Sequence, residues 1–258
     1  MLTVLSDKKK RNQTNKSFMS EWLSRTELLL GADKLSKLKA SNVLVVGLGG
    51  VGAYAAEMIC RAGLGKMTII DGDNIHTTNR NRQLPALVTT EGSAKAIVMG
   101  TRLKEINPDL DLTVIQEYIK DDRMKEVLES GFDYVVDAID TLSPKIFLIY
   151  HSLQNGYPVV SSMGAGGKYD PLRISISDIS ETTGCSLARI LRKRLHRLGI
   201  RKGVTAVYSP ESVDKSRVMP ASGEMNKASI VGTISYMPAA FGIVCASVVI
   251  RDLAGISR

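Results

Sequence analysis

Asp71, Asp73, Asn79, Arg82, Gln83 and Lys95 follow one another within a short stretch of chain and have the side chains that phosphate chemistry requires. The run is Asp71-Gly72-Asp73, then Asn79-Arg80-Asn81-Arg82-Gln83, then Lys95. Guanidinium and ammonium groups offset the charge that develops on phosphate oxygens during transfer, and amides supply oriented donors and acceptors. A reaction on a nucleoside triphosphate would use such a set. Any one of these residues also fits a solvated loop; the ordered set fits one far less well.

The elements that must position these groups are written around them. The apolar run Val43-Leu44-Val45-Val46 leads into Gly47-Leu48-Gly49-Gly50-Val51-Gly52, and Ala56, Ile59 and Cys60 then recur at helical spacing. This predicts a buried strand, a glycine turn and a helix N-terminus. Gly47 lets the turn close, Gly49 lets backbone approach a phosphate, and Gly52 lets helix pack on strand, with the helix dipole aimed at the anion. A second apolar run over 67–70 ends at Asp71, near the ~20 residues expected between the fingerprint and the acid that holds a ribose hydroxyl. Gly50 belongs to the same turn. Asp71 is therefore assigned to the ribose, and Arg82 and Lys95 to the phosphates. A hydride-transferring enzyme would share the glycine turn and the acid, but it needs no polar cluster after them.

Further along, 93–106 has helical periodicity and stops at Asn107-Pro108, 112–115 reads as a strand and 122–129 as a helix. Tyr134-Val135-Val136 is a strand that delivers Asp137 and Asp140 to the carboxyl edge of a sheet, where ligands of open α/β sheets bind. Asp140 is a candidate magnesium ligand there, or a helix cap before Pro144. Strands alternating with helices predict an α/β, Rossmann-like fold with a mostly parallel, doubly wound sheet, two N-terminal helices broken at Gly31 and a C-terminal strand and helix extension. The expected organisation is a basic arm over 1–16 and one domain over 17–258, divided into a nucleotide core (17–162) and a substrate and dimerisation extension (163–258).

With 34 Lys and Arg against 26 Asp and Glu the net charge is +8, which suits an anionic partner, nucleic acid first, or simply keeps the chain soluble. The basic residues concentrate on 187–198, where Leu187, Ile190, Leu191, Leu195 and Leu198 alternate at helical spacing with Arg189, Arg192, Lys193, His196 and Arg197. A solvated helix face is one meaning of such a run; a surface that tracks phosphates is the other, with Arg189, Arg192, Lys193 and Arg197 as its contacts. Residues 209–227 lack periodicity and read as a mobile loop. The apolar run at 239–250 is shorter than the ~20 residues of a membrane span and predicts a core or dimer-interface helix, with peripheral membrane attachment as the lesser alternative. No secretory leader pattern is present at the N-terminus, so a cytoplasmic protein is expected. Three cysteines without C-x-x-C spacing exclude a four-cysteine zinc site.

These residues resemble the ThiF/MoeB-like superfamily related to ubiquitin-activating enzymes. The resemblance rests on Gly47, Gly49, Gly50 and Gly52, on Asp71, on Asn79, Arg82 and Gln83, on Lys95, and on Asp140 of Asp137-Ala138-Ile139-Asp140. It implies adenylation of a carboxylate with ATP and Mg2+. Arg25 falls in an Arg-Thr-x-Leu-Leu-x-Gly stretch whose arginine, in some relatives, crosses a homodimer interface to the partner's ATP; a surface arginine is the alternative. Within the superfamily, Gly164-Ala165-Gly166-Gly167-Lys168-Tyr169-Asp170-Pro171, the 178–182 stretch and the 187–195 helix resemble the threonylcarbamoyladenosine dehydratases. That implies a tRNA substrate whose threonyl carboxylate is activated by ATP and then loses water in closing a ring. Cys185-Ser186 departs from the Asp-Pro usual there, and no covalent role is assigned to the thiol. The resemblance also allows an adenylyltransferase of a ubiquitin-like sulfur carrier, and with it a sulfur-transfer or cysteine desulfurase partner. A nucleotide-dependent oxidoreductase and a non-catalytic tRNA-binding module are the readings outside the family.

Overall fold

The computed structural model describes residues 21–220 and 229–257. The basic arm at 1–16 lies outside the described residues, as does the 221–228 part of the expected mobile loop.

One seven-stranded sheet organises the chain. Its strands are β1 (Asn42–Val46), β2 (Lys66–Ile70), β3 (Asp111–Ile115), β4 (Tyr134–Asp137), β5 (Val159–Ser162), β6 (Ser175–Asp178) and β7 (Val204–Tyr208), in the order β3-β2-β1-β4-β5-β7-β6. All pairings are parallel except β6 on β7, so the antiparallel strand sits at one edge. Strand order reverses between β1 and β4, and the crevice outside their carboxyl ends is where a doubly wound sheet receives a ligand.

Period-two side-chain alternation supplies both faces. Val43 and Val45 of β1, Met67 and Ile69 of β2, and Tyr134 and Val136 of β4 enter one core with α3 (Gly52–Arg61), α4 (Lys95–Ile106) and α8 (Tyr236–Ala254). Leu44, Val46, Ile70 and Val135 point to the opposite core, formed with α5 (Asp121–Leu128), α6 (Leu142–Gln154) and α7 (Ser186–Arg197). Helices α1 (Ser24–Leu30) and α2 (Ala32–Ala40) meet at Gly31, whose φ of +83° a side chain would strain.

Helix α8 is longer than the apolar run suggests. Its 19 residues are long and apolar enough to cross a membrane, yet Phe241, Cys245, Val248 and Val249 are buried against α3 and the sheet. A Cβ on Gly242 would stand 2.4 Å from the Val51 carbonyl oxygen, so α8 and the start of α3 touch backbone to backbone. Burial of one face makes this a core helix.

Two expectations are corrected. The stretch after Ser209 is not uniformly aperiodic: β8 (Val218–Pro220) pairs antiparallel with β9 (Ser229–Val231), a partner that local periodicity cannot reveal. On α7 the buried residues are Ala188, Leu191 and Leu195, while Ile190 and Leu198 are exposed, so the apolar stripe is narrower than the leucine spacing suggests.

Candidate functional site

The crevice at the β1–β4 switch is built from backbone packed too closely for side chains. Gly47 has φ +91°, and a Cβ there would lie 2.7 Å from the Ala138 carbonyl oxygen in the loop after β4. At Gly52 a Cβ would fall 1.7 Å from the Gly47 carbonyl oxygen, which seats the first turn of α3 on the glycine turn. Gly50 packs against Pro238 at the start of α8. Gly49 is less crowded: a Cβ there would make an ordinary van der Waals contact with Gln83 Nε2 at 3.7 Å. The amide oxygen of that same Gln83 is buried without a hydrogen-bond partner. An orphaned acceptor costs about 1–3 kcal/mol, which a hydroxyl of a bound nucleotide would relieve.

Asp71 fastens the end of β2 to this turn. Its Oδ2 accepts from Leu48 N–H at 2.6 Å and its Oδ1 from Asp73 N–H at 2.8 Å. Burial pushes its carboxyl above the ordinary range, against the pull of Lys95 and of those two amides. Each oxygen keeps a lone pair for a sugar hydroxyl. Lys95, the first residue of α4, is buried, and its Nζ lies 2.8 Å from Asp73 Oδ2. Tyr118 donates its hydroxyl to the other oxygen of Asp73 and lies over Gly72, where a Cβ would be 2.6 Å from the ring. The bond to Asp73 first, then burial and the charges of Asp73, Asp71 and Asp140, push the phenol up to about 12. Asp140, exposed in the loop after β4, is close enough to Tyr118 for its charge to act on that phenol. Tyr118 has no signature in the sequence, because an aromatic residue just past β3 carries no local signal.

Asn79 builds the turn that presents its neighbours. Its carbonyl accepts from Arg82 N–H at 3.1 Å and Gln83 N–H at 2.9 Å, while its Oδ1 accepts from His76 N–H at 3.1 Å. Arg82 Nη1 donates to the Thr78 carbonyl at 3.0 Å and to Asn81 Oδ1 at 2.8 Å.

Beneath the loop of Asp140 lies an ion pair that pattern reading missed. Asp137 and Lys145 both have fully buried side chains, with Lys145 Nζ 2.8 Å from Asp137 Oδ2. Ser161 Oγ donates to the same oxygen at 2.6 Å, Ile139 N–H donates to Oδ1 at 3.2 Å, and Lys145 Nζ donates to the Ile139 carbonyl at 3.0 Å. These bonds hold the turn that carries Asp140. A lysine near the start of α6, eight residues after Asp137, was the available signal.

Two sets of expected residues stand apart from this cluster. Arg25 is exposed on α1, beside Leu28 and Leu29, which are 82% and 84% exposed. On α7, Arg189, Lys193 and Arg197 are exposed, and so is Arg194, which pattern reading passed over. Arg192 differs: its Nη1 donates to the Ile179 carbonyl at 3.1 Å, the Thr182 carbonyl at 3.0 Å and Thr182 Oγ1 at 2.7 Å, clamping α7 to the preceding turn. Cys185 caps α7, its Sγ accepting from Ala188 N–H at 3.5 Å. Among the described residues no group of three or more His, Cys, Asp or Glu is placed to hold a metal.

Comparison with known proteins extends the picture. The ThiF family model matches residues 23–258. A tRNA threonylcarbamoyladenosine dehydratase of Bacillus subtilis is 37% identical over 242 residues, 91% of this chain and 95% of its own. The crystal structure of the E. coli tRNA N6-threonylcarbamoyladenosine dehydratase TcdA in complex with ATP superposes with a TM-score of 0.83 at 34% identity, covering 92% of this chain and 97% of that one. The E. coli sulfur carrier protein ThiS adenylyltransferase is 32% identical over a shorter span, 54% of this chain and 56% of its own.

Proposed function

The chain belongs to the ThiF family, and from that footing we propose that it dehydrates threonylcarbamoyladenosine in tRNA by adenylating the threonyl carboxylate with ATP. One observation carries the reading: Gly49 of the glycine turn lies against the amide of Gln83, whose buried oxygen lacks a donor, and the same turn is fastened to Asp71, next to the Lys95–Asp73 pair. Such a cradle fits a ribose triphosphate, and the chain covers nearly the full length of a dehydratase but only about half of a sulfur-carrier adenylyltransferase.

The chemistry follows from charge. A threonyl carboxylate oxygen attacks the α-phosphorus of ATP and pyrophosphate leaves. The carbamoyl group of the same side chain then attacks the activated carbonyl and gives up a proton to solvent, and AMP leaves with one of the former carboxylate oxygens, so that the proton and that oxygen account for the water lost. Negative charge grows on the phosphates in the first step. Lys95 Nζ can reach it by leaving Asp73 or bridging to it, and Arg82 adds a second fixed cation. Asp71 holds the ribose, a role its two backbone hydrogen bonds support by locking the carboxylate in place.

Asp140 would hold Mg2+ against the phosphates, with water completing the shell, as is usual where one carboxylate and a nucleotide share the ion. The exposed cations of α7 would track the tRNA backbone. A homodimer is supported by Leu28 and Leu29 on α1, whose exposure calls for a covering surface and would carry Arg25 to a second copy. A cytoplasmic setting goes with the tRNA substrate.

The test is mass spectrometry of nucleosides from tRNA incubated with the protein, ATP and Mg2+. Conversion of threonylcarbamoyladenosine to a species lighter by one water, with AMP released in equal amount, is expected. Nucleotide-dependent redox chemistry, or no ATP-dependent change in tRNA, would overturn the reading.

A further inference from the structure

A cavity of about 510 Å3 opens between the 164–170 turn and the β8–β9 pair, within the ~300–1,000 Å3 of small-ligand sites. Tyr169 and Arg217 line it together with Met219, Ile230 and Ile234, and none of the described residues that line it is acidic. The Arg217 guanidinium carbon stands 5.5 Å from the centroid of the Tyr169 ring and Arg217 Nη1 donates to its hydroxyl, so a cation and an aromatic surface are presented as one unit. The unit is held before any ligand arrives. Tyr169 N–H donates to Glu211 Oε1 at 3.1 Å, Tyr236 donates its hydroxyl to the Tyr169 carbonyl at 2.9 Å, and Arg217 Nε pairs with Asp214 Oδ2 at 3.3 Å. Even so, Tyr169 remains 50% exposed, and Met219 63%.

The surroundings identify what fits. Asn81 of the nucleotide-site turn donates to the Thr233 carbonyl of the cavity wall at 3.0 Å, and Pro238, just past that wall, packs on Gly50. On the other side the 164–170 turn reaches the start of α7, where a Cβ on Gly164 would lie 3.9 Å from Leu187. The cavity thus lies between the basic helix and the triphosphate cradle. An aromatic face, a guanidinium held by Asp214 and apolar walls match an unstacked base on an anionic backbone, because single-stranded RNA is gripped by stacking on aromatic rings and arginine planes.

We propose that this cavity is a base-stacking site for single-stranded RNA, in which the adenine bearing the threonyl group lies against Tyr169 and Arg217 with its carboxylate directed toward the glycine turn. This rests on the proposed dehydratase activity and adds to it the surface that splays the substrate base out. Because stacking is not a charge effect, it is separable from backbone attraction by α7.

The experiment measures binding of a labelled anticodon stem–loop carrying threonylcarbamoyladenosine at several salt concentrations, with ATP binding measured in parallel. Tyr169→Ala and Tyr169→Leu should each weaken stem–loop binding about ten- to a hundredfold with an unchanged salt slope, and Tyr169→Phe should stay within about twofold of the parent. Arg217→Ala should weaken binding and lower the slope by no more than about one. ATP affinity and melting temperature should be unaltered in the Tyr169 variants. Parental stem–loop affinity in Tyr169→Leu would overturn the stacking site alone, as would displacement of the RNA from α7 variants but not from Tyr169→Ala. A parent protein that binds ATP but neither binds nor converts the stem–loop would overturn the dehydratase reading and this inference with it.

Discussion

Two lysine–aspartate pairs stand at the same 2.8 Å separation on either side of the crevice, and they do different work because of where water can reach. In the Lys95–Asp73 pair the lysine side chain is 5% exposed and the aspartate 40%. In the Lys145–Asp137 pair both are fully buried, and Ser161 and Ile139 also donate to the carboxylate. The first pair can exchange partners when a triphosphate arrives, since its aspartate can be rehydrated. The second cannot, because breaking it would strand a charge in a dry interior. The first pair is therefore the one we propose to take part in the chemistry, and the second is the mount for the loop of Asp140.

The sharpest way to break the comparison is to remove the buried cation. Lys145→Met should cost about 3–5 kcal/mol of stability, read from the urea midpoint, because it leaves Asp137 buried and unpaired; adding Asp137→Leu should recover much of that loss. A Lys145→Met variant as stable as the parent would mean that Asp137 is not charged in the fold. Lys95→Ala should show the opposite profile. Its ATP–pyrophosphate exchange should fall on the order of 10²–10³-fold while stability changes by less than about 1 kcal/mol, since its partner is accessible to water. Full exchange activity would remove Lys95 from the phosphates.

Smaller effects sharpen the same division. Asp140→Ala should raise the Mg2+ concentration needed for half-maximal exchange about tenfold without moving the melting temperature; an unchanged requirement would leave Asp140 as a turn residue only. The last contrast is within α7. Replacing Arg189, Lys193 and Arg197 with Gln should flatten the salt dependence of tRNA binding by about one unit of slope for each phosphate no longer neutralised. Arg192→Gln alone should chiefly lower stability, by about 1–2 kcal/mol, through its three oxygens at Ile179 and Thr182. Equal effects of the two on the slope would place Arg192 among the RNA-binding cations.

Local pattern was sufficient where structure is short-ranged. The strand, glycine turn and helix over 42–61, the acid at 71 and the lysine opening α4 form one βαβ neighbourhood, and apolar runs with helical spacing specify it nearly residue by residue. The parallel sheet, the helix at α7 and its basic composition were legible for the same reason. Strand β7 shows the limit. Its Val204-Thr205-Ala206-Val207-Tyr208 run does not announce its place inside the sheet between β5 and β6, because strand pairing joins residues distant in sequence. Strand β8 was hidden in a stretch that looked aperiodic on its own, its partner β9 lying beyond that stretch.

By itself, the sequence determined the glycine turn, the order of the polar and charged residues after it and the family, since each depends on residue types at fixed local spacings. Only the tertiary structure decided which charges are buried and which are open to a ligand. It joined Asp137 of β4 to Lys145 of α6 and Ser161 of β5, set Tyr118 over Gly72, and tied Arg192 to Thr182 while leaving Arg189, Lys193 and Arg197 on α7 exposed. The physical reason is that a side chain's charge, reach and hydration depend on the elements that pack around it, and those elements come from distant parts of the chain.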